Sequence, residues 1–154
     1  NRVELPGGPV EIEAQLMELD NARERVDDEG RIRGIRSTAS LANSAANVLT
    51  GGAGNDIFRF TTKGHIDTIT DFNVVNDTIQ LENAAFTALT TAGTLAVSQF
   101  KIGTQALDAD DFIIYNNVTG ALLYDANGSS AGAVVQIATL SAGLAMTNAD
   151  FHVI

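Results

Sequence analysis

Residues Gly51 to Arg59, inside the stretch Leu49-Thr-Gly-Gly-Ala-Gly-Asn-Asp-Ile-Phe-Arg-Phe60, fill the nine-residue pattern G-G-x-G-x-D-x-U-x, and no other stretch of the chain restricts the backbone as tightly. Gly51, Gly52 and Gly54 reach backbone conformations closed to residues with a side chain, so carbonyl oxygens can converge on a common centre. Asp56 adds a formal negative charge. Several carbonyl oxygens and one carboxylate at flexible geometry suit a hard cation, calcium better than magnesium or zinc. Ile57 and Phe58 then leave the turn as a strand, with Phe58 at the large apolar position facing inward.

Downstream lies a series of short apolar runs punctuated by turn residues. These are Ile66-Asp-Thr-Ile-Thr-Asp-Phe72, Asn76-Asp-Thr-Ile-Gln-Leu81, Asp111-Phe-Ile-Ile-Tyr-Asn116, Thr119-Gly-Ala-Leu-Leu-Tyr-Asp-Ala-Asn-Gly128 and Ala149-Asp-Phe-His-Val-Ile154. In this order, residues 38 to 154 resemble the haemolysin-type calcium-binding domain of RTX (repeats-in-toxin) proteins, and are similar to the serralysin-type C-terminal module of type I secretion substrates. The resemblance implies an all-β fold in which a short parallel β-roll continues into an antiparallel, sandwich-like C-terminal part. It also implies a calcium ion held between turns on the same edge of the roll, two nonamers apart. Residues 42 to 50 form a degraded copy of the nonamer, with Asn47 at the aspartate position and Leu49 at the large apolar one. Because neighbouring nonamers fall on opposite edges, the Gly51 turn is expected to complete its site with residues further along the chain, first with Gly64-His-Ile-Asp67. The implied metal set is Gly51, Gly52, Gly54, Asp56, Asp67, Asp71 and Asp77, with one or two calcium ions bound.

Charge supports a cation as partner. The chain of 154 residues carries a formal net charge of -10, which disfavours nucleic acid and anionic membranes. Beyond Phe60 the basic side chains are Lys63 and Lys101, against nine acidic ones, Asp67, Asp71, Asp77, Glu82, Asp108, Asp110, Asp111, Asp125 and Asp150. Unneutralised, that half repels itself. Cysteine is absent, so disulfides do not hold the fold. No apolar run approaches the ~20 residues of a membrane helix.

Residues 1 to 36 read as the tail or linker of an upstream region, where any catalytic or adhesive activity is expected to reside, and residues 37 to 154 as the calcium-binding and secretion domain. Pro9, Glu11 and Glu13 suit a helix start, and Ile12, Leu16, Leu19 and Val26 share a face, although Val10, Ile12, Ala14 and Leu16 also alternate as a strand would. A helix is expected through about Val26. Beyond residue 96, strands are expected at 99–102, 112–115, 121–125, 133–138 and 151–154, with 112–125 a hairpin around Asn116-Asn-Val-Thr-Gly120.

Three other constellations point elsewhere. Gly128-Ser-Ser-Ala-Gly132 satisfies G-x-S-x-G, and Asp150 and His152 come after it in the chain order of a hydrolase triad, but a β-rich run succeeds Gly132 where the motif needs a helix. Asp108-Ala-Asp-Asp111 packs its carboxylates too closely for a glycosidase pair. His65 and His152 are isolated, without the spacing of a zinc motif. By its resemblance to the RTX family, the chain is expected to be a non-enzymatic module of a larger extracellular bacterial protein that folds on calcium outside the cell. The acidic-then-apolar ending Asp150-Phe-His-Val-Ile154 resembles an uncleaved signal read by a type I secretion transporter. An adhesin or polysaccharide-binding module on the same fold is the alternative.

Overall fold

A computed structural model describes residues 46–154 in full and, before them, only the backbone of three strands, β1 (Arg25–Val26), β2 (Ile32–Arg33) and β3 (Ala39–Ala42). The helix expected from Pro9 lies outside the described residues, except that its expected last residues, Arg25–Val26, run as strand. The chain continues through β4 (Val48–Leu49), β5 (Ile57–Phe60), β6 (Asp67–Ile69), β7 (Thr78–Leu81), β8 (Gly93–Thr94), β9 (Phe100–Ile102), β10 (Ile113–Tyr115), β11 (Ala121–Asp125), β12 (Val134–Thr139) and β13 (Phe151–Val153). The protein is all-β. Among the described residues the helical segments are two 3-10 turns, Val97–Gln99 and Asn148–Asp150.

From β2 to β7, successive strands enter alternate sheets and pair in parallel with the strand one full coil away: β2 with β4, β4 with β6, β3 with β5 and β5 with β7. That arrangement is a parallel roll. Alternation along each strand explains it, since in β5 Phe58 and Phe60 are buried while Ile57 and Arg59 are half-exposed, and in β7 Ile79 and Leu81 are buried between half-exposed neighbours. Register then stacks like on like. Phe58 lies beside Ile79 and Phe60 beside Leu81 inside, while on the outer face Arg59 Nε donates to Gln80 Oε1 at 2.9 Å. Each fully buried Phe, Ile or Leu contributes about 1.5–3 kcal/mol, so this inner ladder holds the coils together without disulfides.

The C-terminal half extends both sheets. Strand β12 adds in parallel to β6, followed by the antiparallel pairs β12·β11 and β11·β10 and a parallel β9, which completes an eight-stranded sheet. Strand β13 adds in parallel to β7 and is capped by antiparallel β8 in the five-stranded sheet. Phe151 and Val153 continue the inner ladder over Ile79 and Leu81. Across the sheets, the Phe100 and Phe151 rings meet at 5.3 Å, and Phe86 meets Tyr124 edge-on at 5.1 Å. The expected hairpin is β10 and β11, and the closing strand is β13. Ile66 is exposed, because strand alternation around the buried Asp67 points it outward.

The acidic-apolar ending is packed. Asp150 accepts hydrogen bonds from the Thr147 amide at 2.6 Å and hydroxyl at 3.3 Å, capping the turn that leads into β13. Phe151 and Val153 are buried, and Ile154 exchanges backbone hydrogen bonds with Leu81 and Asn83.

Candidate metal centre

The roll has two edges. Along one, the turn between β4 and β5 (residues 50–56) lies against the turn between β6 and β7 (residues 70–77). Asp71 spans the two, its Oδ1 accepting from the Gly51 amide at 2.9 Å and its Oδ2 from the Gly52 amide at 2.7 Å. One coil position on, Asp77 accepts from the amides of Asp56 (3.1 Å) and Asn73 (2.8 Å). The Thr78 amide donates to the Asp56 carbonyl at 2.8 Å, and the hydroxyls of Thr50 and Thr70 meet at 2.7 Å. Glycine is required at 51 because the Asp56 side chain folds over it. A Cβ at Gly51 would stand 2.7 Å from Asp56 Oδ2. Gly52 and Gly54 hold φ of 93° and 123°, conformations that orient the turn and exclude most side chains. Asp56 is 1% exposed, and both its carboxylate oxygens are shielded from solvent.

Asp67 is not on this edge. The expectation that Gly64-His-Ile-Asp67 completes the Gly51 turn is corrected by the register. Val48 lies beside Thr68 and Leu49 beside Ile69, which sets Asp67 beside Asn47 on the opposite edge. There the Asn47 amide donates to Asp67 Oδ1 at 2.7 Å. Asp67 is 0% exposed, and its Oδ2, like Asn47 Oδ1, is buried without a hydrogen-bond partner among the described residues. His65 Nε2 stands 3.7 Å from Asp67 Oδ2 and 3.3 Å from the Thr62 hydroxyl. Burial pushes the Asp67 carboxyl up to about 6, against the opposing pull of the Asn47 amide, and burial also lowers His65 from its ordinary value. The coil partner of Asp56 is instead Asp77. Of the seven residues expected to form one centre, Gly51, Gly52, Gly54, Asp56, Asp71 and Asp77 share an edge and Asp67 stands apart.

This geometry assigns different work to the acids of the glycine edge. Asp71 and Asp77 face amide N–H groups and lock coil to coil, while Asp56 is the carboxylate folded into the glycine cradle. A hard cation at that cradle would take Asp56 and would need turn carbonyls as its further ligands. Among the described residues no three of His, Cys, Asp and Glu stand close enough together to hold a metal ion, so backbone oxygens would have to supply much of the coordination. Asp71→Ala removes two charge-assisted hydrogen bonds and is expected to lower stability by about 2 kcal/mol in urea denaturation with chelator present. Asp71→Asn, which keeps one acceptor oxygen, is expected to recover part of that loss. An unchanged midpoint for both variants would mean that the Gly51 turn is held by other contacts.

The residues that sequence reasoning leaves outside the metal set, Asn47 and His65, lie beside Asp67. Their only signal in the sequence is an asparagine at the aspartate position of a degraded nonamer and a His-x-Asp spacing one coil later. Asp111 Oδ2 accepts from the amides of Leu107 and Asp108, both at 2.9 Å, and Asp125 Oδ1 from the Asn127 amide at 3.2 Å, so both close turns. Ser130 lies in an exposed turn that leads into β12, and the Asp150 carboxylate is engaged by Thr147. Among the described residues no helix is long and apolar enough to cross a membrane. No family model, no curated protein and no solved structure matches this chain.

Proposed function

We propose that this chain is the calcium-binding C-terminal module of a larger secreted bacterial protein of the RTX kind, compacting when calcium enters the glycine edge. The observation that carries the reading is the burial of Asp56 against Gly51 in a turn stacked on a second buried aspartate, Asp77, in a chain of net charge -10. Buried carboxylates are retained only where something offsets their lost hydration. Amide N–H groups do so for Asp77, and a cation at the glycine turn would add to the stabilisation of Asp56, with backbone carbonyls as its further ligands. In a calcium-poor cytosol the acidic coils repel one another and the chain stays loose enough to thread a type I transporter. Outside, the ion stabilises the roll, and the ending Asp150 to Ile154 packs as β13.

Extracellular calcium modules bind with dissociation constants of roughly 0.1–1 mM. One site at about 100 times its dissociation constant adds about 2.7 kcal/mol, which for a domain of this size raises the melting temperature by roughly 5–10 °C. Thermal unfolding followed by circular dichroism is expected to show that rise with calcium over chelator, a smaller one with magnesium, and none in Asp56→Ala. Identical melting of the parent protein in calcium and in chelator would overturn the reading.

A further inference from the structure

The opposite edge has a different chemistry. Asp67 Oδ2 and Asn47 Oδ1 are both acceptors, both buried, and neither has a hydrogen-bond partner among the described residues. Two acceptor oxygens on neighbouring coil positions cannot satisfy one another, so a donor or a cation belongs with them. The nearest further group is His65 Nε2, 3.7 Å from Asp67 Oδ2. That distance is too long for a hydrogen bond, but two ligands of one tetrahedral zinc ion, each about 2.0–2.2 Å from the metal, stand about 3.4 Å apart. A shift of a few tenths of an ångström would bring the His65–Asp67 pair to that spacing.

We propose that His65 Nε2, Asp67 Oδ2 and Asn47 Oδ1 form a site for a zinc-class divalent metal ion on the edge of the roll opposite the glycine turn, with water completing the coordination. Calcium is the wrong ion for it. Calcium prefers oxygen ligands alone, whereas an imidazole beside a carboxylate and an amide oxygen favours zinc, cobalt, nickel or copper. Only two of the three protein ligands are of the His or Asp type, the third being an amide, which separates this edge from a conventional three-residue zinc cluster. The metal would displace the 3.3 Å contact between His65 and the Thr62 hydroxyl and would tie β4 to β6 across one coil.

The test is a cobalt titration of the intact chain, followed by the visible absorption of the bound ion, then competition with zinc and with calcium. A single site with an intense tetrahedral-type spectrum is expected, displaced by zinc and unaffected by excess calcium. His65→Ala, at a position near the surface, is expected to weaken zinc binding by more than about 100-fold, since loss of even an outer-shell partner costs about 10- to 100-fold. The same variant is expected to keep the calcium-induced rise in melting temperature, which Asp56→Ala loses, so this site and the calcium reading fail separately. Absence of a cobalt spectrum, binding indifferent to His65→Ala, or displacement of cobalt by calcium would each overturn the proposal.

Discussion

Gly120→Ala is expected to destabilise the protein by about 2–4 kcal/mol, read as a shift in urea midpoint at unchanged slope. Gly120 ends the loop between β10 and β11 and holds φ of 80°, and its carbonyl accepts the Leu140 amide at 2.8 Å. A Cβ there would lie well inside van der Waals contact with the Leu140 carbonyl oxygen and 3.0 Å from its carbonyl carbon. Backbone cannot rotate out of the way as a side chain can, so β11 and the end of β12 must separate. The left-handed conformation costs about 1 kcal/mol for alanine, and forced repacking adds about 1–3. Gly143→Ala is the internal control. Gly143 has a similar φ of 75°, but nothing lies within 4 Å of where its Cβ would stand, so only the backbone term of about 1 kcal/mol is expected. Equal effects at the two positions would mean that the close approach of Gly120 to Leu140 contributes nothing. The difference matters because β12 is the strand through which the hairpin is joined to the roll at β6.

The elements legible in the sequence are those fixed by local chemistry. Phe58 and Phe60 flank a polar arginine, Asn116 to Gly120 is rich in turn residues, and Phe151 and Val153 flank a polar histidine, so a strand, a hairpin and a closing strand can each be read from a few residues. Coil membership is not local. Asn47 and Asp67 stand 20 residues apart and Asp56 and Asp77 stand 21, because the connection from β5 to β6 and the turn before β7 are both longer than a strict nonamer allows. Counted in strict nonamers from Gly51, residues 60–68 fall on the opposite edge and 69–77 return to the glycine edge, so the repeat itself places Asp67 away from the Gly51 turn and Asp71 and Asp77 beside it. The additions of β12 to β6 and β13 to β7 are hidden, since each joins strands separated by about seventy residues through parallel pairing. His65 illustrates a further limit: its neighbour Asp67 is local, but the Asn47 amide that engages Asp67 arrives only once a coil has closed.

Lowering the pH from about 7 to about 4 in the presence of a chelator is expected to stabilise the parent protein relative to Asp67→Asn by about 3 kcal/mol. Burial raises the Asp67 carboxyl from 3.8 to about 6 in the folded state, and at about 1.4 kcal/mol per tenfold change in proton affinity this amounts to about 3 kcal/mol. Above about pH 7 the group is ionised in both states, and the folded chain bears the full cost of a desolvated charge. Between about 6 and 4 the folded state takes up a proton that the unfolded chain does not hold, so stability rises as the pH falls; below about 4 both states are protonated and the gain is complete. His65 is the titratable group facing Asp67, and its effect has the opposite sign. Its lowered pKa means that acid protonates the unfolded chain first, which costs stability as the pH falls through about 6.5. Making the comparison in a His65→Gln background, with and without Asp67→Asn, removes that term. Because a bound metal ion competes with the proton for the same oxygen, adding zinc to the parent protein is expected to flatten the profile and shift its midpoint downward. A parent protein whose stability tracks that of Asp67→Asn across the whole range would show that the Asp67 carboxylate is hydrated in solution, and would remove the physical reason for placing a cation beside it.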